Sequence, residues 1–269
     1  MKKLLARKSP VVIGMVHLPP LPGSPGYGGN FEKVLSRALS DAVRLEEGGI
    51  DAAMIENFGD VPFYADRVPP ETIAAMAVAV SRIRAAVSFP LGVNVLRNDA
   101  LAALGIAAVT GAQAVRINVL SGAAVTDQGI IQGKAFEVLR KRMILAPSSA
   151  ILADVMVKHS APLGDYPLSQ AAKDVAYRGL ADALIVSGSG TGAAVNPEEL
   201  EVVRRAVPDR PLLLGSGVST ENLADYLSLA DGFIVGTSIK KNAVSDGPVS
   251  PARVRRFVNL VRAASSRRA

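Results

Sequence analysis

Leu212-Leu-Leu-Gly-Ser-Gly-Val-Ser219, followed by Gly232-Phe-Ile-Val-Gly-Thr-Ser-Ile-Lys240, forms a matched pair of segments. Each reads as a short apolar strand ending in glycines and hydroxyl side chains, followed by polar residues able to start a helix. Glycine lets backbone N–H groups approach an anion closely, and a helix N-terminus adds a favourable dipole. In eight-stranded α/β barrels the loops after the seventh and eighth strands commonly form a phosphate site. If these are the last two strands of such a barrel, Gly215, Ser216, Gly217, Gly236, Thr237 and Ser238 are the candidate phosphate ligands.

The remaining sequence supplies the other six strands. Apolar runs over 11–17, 52–56, 91–95, 114–118, 151–155 and 183–187 precede the runs at 212–215 and 232–235. Helical patterns over 31–47, 71–87, 99–110, 134–145, 169–177, 197–206 and 221–229 separate them, and 251–264 closes the chain. Strand–helix alternation of this kind implies βα units and a parallel sheet. A weak repeat supports the count: Gly49-Ile-Asp-Ala-Ala-Met-Ile-Glu56 and Gly111-Ala-Gln-Ala-Val-Arg-Ile-Asn118 share one entry into a strand. The competing doubly wound sheet requires a Gly-x-Gly-x-x-Gly turn after the first strand. Leu18-Pro-Pro-Leu-Pro-Gly23 stands there instead. The expected fold is one (β/α)8 barrel domain over 1–269, with a basic lead at 1–9 and a frayed tail at 265–269.

The chain has 269 residues, 49% of them hydrophobic, which suffices for a large core. It has no cysteine, so thiolate chemistry and disulfides are excluded. No apolar run reaches the roughly 18–20 residues a membrane span needs, and a cytoplasmic protein is the plain expectation. The formal charge of +6 is concentrated at the ends: ten basic residues lie outside the first and last acidic ones, leaving the body near −4. Those ends can meet an anionic membrane surface, but more often such residues form a solvated helix face. Few aromatics and no recognition motif exclude a dedicated nucleic-acid binder.

Polar side chains collect where the strands end, the face that carries function in barrels. His17, Glu56, Arg116, Asp154, Lys158 and His159 are the catalytic candidates, with Asn94, Asn118 and Ser187 as substrate-binding candidates. A plainer reading also holds: Arg116 pairs inside the barrel with Glu56 or Asp154, because an unpaired charge there is costly. Lys158 suits a Schiff base only if desolvated. A divalent metal on His17, Glu56, Asp154 and His159 lacks any tight ligand spacing, so no cofactor is expected. Three loops suit a ligand. Residues 18–29, rich in proline then glycine, read as a lid; 119–133 is long; and Ser187-Gly-Ser-Gly-Thr-Gly192 adds Gly188 and Gly190 as further phosphate candidates.

Met15-Val-His-Leu18, Ile55-Glu-Asn-Phe-Gly-Asp-Val-Pro-Phe-Tyr64, Gly92-Val-Asn-Val-Leu96, Arg116-Ile-Asn-Val119 and Asp154-Val-Met-Val-Lys-His159 together resemble the BtpA family over almost the whole chain. The resemblance implies a barrel of the ribulose-phosphate-binding type. It also implies a link to photosystem I accumulation at a thylakoid surface, although similar proteins occur without photosynthesis. Two expectations follow. One is an enzyme binding a phosphorylated sugar or nucleotide-like molecule, assembled as a homo-oligomer. The other is a non-catalytic assembly factor at a membrane surface.

Overall fold

The computed structural model describes residues 1–188, 190 and 193–266. Its strands, in chain order, are β1 (Val11–His17), β2 (Ala52–Glu56), β3 (Leu91–Asn94), β4 (Ala114–Ile117), β5 (Ala123–Thr126), β6 (Gly129–Gln132), β7 (Ala150–Asp154), β8 (Ser160–Pro162), β9 (Ala183–Val186), β10 (Leu212–Leu214) and β11 (Gly232–Val235). Eight of them close a barrel in the order β1-β11-β10-β9-β7-β4-β3-β2, and every pairing is parallel. The two segments that decide the fold are the seventh and eighth barrel strands, with β11 returning to β1.

Side chains alternate across a strand, so each barrel strand divides its residues between two cores. Ile13, Met15, Met54, Leu152, Ile185 and Ile234 point inward and share one buried cluster. Val12, Ile55, Val93, Val115, Ile151 and Phe233 point outward and pack under the helices. Both strand faces are covered, which is why these runs read as almost continuously apolar. Each fully buried side chain of this size contributes about 1.5–3 kcal/mol.

The helices are α1 (Lys2–Leu5), α2 (Phe31–Glu47), α3 (Pro70–Ala86), α4 (Ala100–Thr110), α5 (Ala135–Leu145), α6 (Leu168–Lys173), α7 (Pro197–Ala206), α8 (Leu223–Tyr226) and α9 (Pro251–Ser266). Their starts follow capping chemistry: Asn30, Asp99 and Asn196 each accept a bond from a backbone N–H of the first turn. Gly14 lets α2 sit close on β1, because a Cβ there would lie 2.5 Å from Leu45 Cδ2.

Three expectations are corrected. The stretch 119–133 is not an irregular loop: β5 and β6 form an antiparallel hairpin, and β8, from beyond β7, pairs with the other edge of β5. The helix expected over 221–229 shrinks to the four residues of α8. The basic lead is not simply solvated. Met1, Leu4 and Leu5 join the inward cluster at the N-terminal end of the barrel, and the Met1 ammonium donates to Gln113 Oε1 at 2.9 Å. At the other end, Arg255 and Arg262 donate to the carbonyls of Glu47 and Gly49, the close of α2. Arg267 and Arg268 lie outside the described residues.

Candidate active site

The inward series that is apolar low in the barrel turns polar at the C-terminal ends. Two residues beyond Met15 comes His17; beyond Met54, Glu56; beyond Ala114, Arg116 and then Asn118; beyond Leu152, Asp154; beyond Ile185, Ser187. The period of two therefore brings to one place residues up to 170 positions apart.

Arg116 and Asp154 form the floor. Arg116 Nε and Nη2 donate to Asp154 Oδ2 and Oδ1 at 3.0 and 2.9 Å, with both side chains buried. Asn118 Nδ2 and Ser187 Oγ donate to the same carboxylate at 3.3 and 3.0 Å. Against the cost of burial, Asp154 holds the Arg116 guanidinium above its ordinary value. Asn94 donates to Asn118 Oδ1 and to the Arg116 carbonyl, while its own Oδ1 is buried without a partner. With four donors on it, the Asp154 carboxylate is fully engaged within the floor.

Glu56 is different. It is buried, yet the one ion-pair approach to its carboxylate among the described residues is that of His17, whose Nε2 is 3.8 Å from Oε1. His17 stacks on Phe58 with ring centroids 4.3 Å apart. Its Nδ1 lies 2.9 Å from Lys240 Nζ and 3.2 Å from the Ser245 carbonyl. Burial, then the nearby charges of Lys240, Lys158 and Arg116, lowers the His17 pKa to about 3, so the ring is neutral at pH 7. Burial likewise lowers Lys240 to about 8. Lys158 is lowered by burial and by Arg116.

Above the floor, a cavity of about 280 Å³ is bounded by His17, Glu56, Arg116 and Lys158 on one side. Residues 215–219 and 236–238 bound it on the other. The N–H groups of Ser216, Gly217, Val218, Thr237 and Ser238 have no backbone partner among the described residues. Gly217 is required twice over: its φ is +71°, and a Cβ would fall 1.9 Å from the Ala193 carbonyl oxygen. The Ser238 hydroxyl is buried with no hydrogen-bond partner among the described residues.

The structure sorts the candidates into three groups. His17, Glu56, Arg116, Lys158, Gly215, Ser216, Gly217, Gly236, Thr237 and Ser238 line the cavity together. Asn94, Asn118, Asp154 and Ser187 lie behind that lining in the floor network. His159, Gly188 and Gly190 are outside it. His159 is exposed at the rim, Gly188 packs on the Ala193 carbonyl, and the Gly190 carbonyl accepts from Ser216 Oγ. Ser189, Thr191 and Gly192 of that loop lie outside the described residues. Among the described residues no three His, Asp or Glu side chains are grouped to hold a metal.

Two buried cations at the site are not evident from the sequence. Lys240 ends the quoted motif, but lysines are almost never fully buried unless paired, so it reads as a surface residue. Arg97, also buried, donates to the Lys158 carbonyl at 2.5 Å and supports that residue from behind. The start of the expected lid is hydrogen-bonded to the turn after β2. Asp60 accepts from Leu21 N at 2.7 Å and from Asn57 Nδ2 at 3.1 Å, and Gly59 N donates to the Leu18 carbonyl.

Fold and site together define a parallel α/β barrel with a polar, cation-rich cavity at its C-terminal mouth. Within that class the chain belongs to the BtpA family, which it matches over residues 7–263. It is 50% identical over 253 residues to an uncharacterized protein of Thermococcus kodakarensis, covering 93% of this chain and 95% of that one. It is 45% identical over 250 residues to the photosystem I biogenesis protein BtpA of Synechocystis, covering 93% and 87% respectively. Among solved structures, phosphoribosyl anthranilate isomerase from Thermococcus kodakaraensis superposes with a TM-score of 0.58 at 14% identity, covering 94% of this chain and 99% of the isomerase. At that identity the likeness speaks for the fold alone.

Proposed function

We propose that this protein is an enzyme that binds a phosphorylated small molecule at the barrel mouth and performs general acid–base chemistry on it. One observation carries the reading: a single cavity is walled by Glu56, Arg116 and Lys158 on one side and by residues 215–219 and 236–238 on the other. Residues 216–218, 237 and 238 would hold the phosphate through backbone N–H groups and hydroxyls. Glu56, the carboxylate left without a strong partner, would move the proton. Lys158 and Arg116 would stabilise negative charge that develops as it does so.

The test is thermal melting with inorganic phosphate, a panel of sugar phosphates and the matching free sugars, followed by a crystal soak with any hit. A ligand present at about a hundred times its Kd stabilises by about 2.7 kcal/mol. A phosphorylated compound should raise Tm while its free sugar does not, with the phosphate seated on residues 216–218 and 237–238. Unchanged melting across the panel, together with a soak showing no anion there, would overturn the proposal.

A second reading is favoured by a separate observation. Phe136, Met143 and Ile144 are 67%, 67% and 76% exposed and share one face of α5. Together with the photosystem I biogenesis name of the Synechocystis relative, this supports a protein-contact role, as a homo-oligomer or as an assembly factor. No helix of the described residues is long and apolar enough to cross a membrane, so contact with a membrane would be peripheral. Replacing Phe136 and Ile144 by Glu should lower the mass in solution if that face joins copies of the chain. Changing Arg253, Arg255 and Arg256 to Ala should abolish binding to anionic vesicles if the basic end docks there.

A further inference from the structure

Lys240 stands out because it is 1% exposed and has no carboxylate partner within ion-pair distance among the described residues. The chain reaches it through the short turn of 3-10 helix at Thr237–Ile239, so the segment that lines the cavity also sets this lysine beneath it. Its Nζ meets two groups: the Ser245 carbonyl and, at 2.9 Å, His17 Nδ1. An ammonium has three donors and no acceptor. Facing one, Nδ1 must offer its lone pair, and a neutral ring then carries its hydrogen on Nε2.

We propose that Lys240 is a positioning residue that fixes His17 as the neutral Nε2–H tautomer, presenting that N–H at the cavity beside Glu56. The competing arrangement has Nδ1–H donating to the Ser245 carbonyl, 3.2 Å away. It would need Lys240 to be uncharged or to point elsewhere. A second cation on the ring would face Lys240 directly, with Lys158 and Arg116 near, which accords with the low pKa of the ring. The lone pair of Nδ1 is spent on Lys240, and Nε2 carries the hydrogen. The ring is thereby a hydrogen-bond donor to a ligand oxygen, not a base, and proton abstraction falls to Glu56. The gap of 3.8 Å between Nε2 and Glu56 Oε1 is too long for a hydrogen bond, so both groups are left for a ligand atom. The assignment concerns the ring itself and stands whether or not the bound molecule carries phosphate.

The chain has two histidines, so a ¹⁵N-histidine-labelled sample of the full protein gives two ring patterns in a long-range ¹H–¹⁵N spectrum. His17→Asn identifies which pattern is His17. At pH 7 the His17 pattern should show a protonated Nε2 and an unprotonated Nδ1. Lys240→Met should convert most of the population to Nδ1–H, bonded to Ser245, while Lys240→Arg should retain Nε2–H. A wild-type ring protonated at Nδ1 overturns the proposal, and so does an Nε2–H ring unchanged in folded Lys240→Met. Should that variant fail to fold, Lys240→Ala repeats the test: a shift to Nδ1–H supports the proposal, and an unchanged Nε2–H ring overturns it.

Discussion

On one side of the mouth, residues 215–219 and 236–238 offer backbone N–H groups, two glycines that admit no Cβ, and small hydroxyls. On the other side, Glu56, Arg116 and Lys158 offer long polar side chains, of which Arg116 is tied to a buried network behind it. The first wall recognises through the main chain, whose geometry is set by the fold. The second recognises through side chains, which keep their positions only because other groups hold them. At the second wall the contrast recurs. Asp154, behind that wall, accepts from four donors, whereas Glu56, also buried, has among the described residues only the 3.8 Å approach of His17.

That difference gives an order of effects on stability. Asp154→Ala should be the most damaging, because it leaves Arg116 charged and unpaired in the barrel and strips Asn118 and Ser187 of their acceptor. A loss of about 3–5 kcal/mol is expected in urea unfolding. Replacing Asp154 by Asn should cost less, since the amide oxygen still accepts. Gly217→Ala comes next, at about 1–3 kcal/mol, from the strained φ and the clash with the Ala193 carbonyl. It should also weaken binding of any anion to the first wall. If Asp154→Ala proves milder than Gly217→Ala, the view of the second wall as dependent on its network fails.

A pH-dependent effect follows from His17. The unfolded ring titrates near its ordinary value of 6.5 and the folded one near 3, so between these pH values the unfolded chain binds the extra proton. Stability from this group is complete above about pH 6.5 and declines as pH falls toward 3, by at most about 1.4 kcal/mol per unit. Lys240 adds a trend of the same sign at high pH. Its folded value of about 8 lies below the ordinary 10.5, so stability rises between the two. Melting curves of wild type and His17→Asn over pH 4–7 should differ in slope, and parallel curves would contradict the buried neutral ring. Glu56→Gln should change stability least, since the isosteric amide keeps the shape of the site, while abolishing turnover of whatever substrate the ligand panel yields. A large fall in Tm would mean that Glu56 belongs with Asp154 rather than apart from it.

Much of this was readable before the structure. The eight strands follow from apolar runs bounded by turn residues, and the inward polar set follows from a period of two carried past Met15, Met54, Ala114 and Leu152. What was not legible depends on partners far away in sequence. Lys240 looks like any terminal lysine until Ser245 and His17 close around it. Asp154 and Glu56 are both strand-end carboxylates, and only the positions of Arg116, Asn118 and Ser187 separate their roles. The hairpin of β5 and β6 did leave a trace, in Val125 and Ile130-Ile131 flanking Asp127-Gln128. Its third strand lies some thirty residues downstream, so the complete sheet cannot be seen locally. The lead segment reads as a solvated basic stretch because Lys2, Lys3, Arg7 and Lys8 crowd it, while Leu4 and Leu5 decide where it packs.

That small sheet has a consequence for how the family can vary. Thr126, Val125 and Ala124 of one barrel loop are paired with Ser160, Ala161 and Pro162 of another, just beyond Lys158. A register shift of one residue would turn every side chain of β8 to the opposite face. The two loops are therefore coupled: a one-residue insertion within the paired stretch of either would turn the following side chains over unless the partner shifted with it. Lineages that adapt the mouth to new ligands are expected to exchange both segments together.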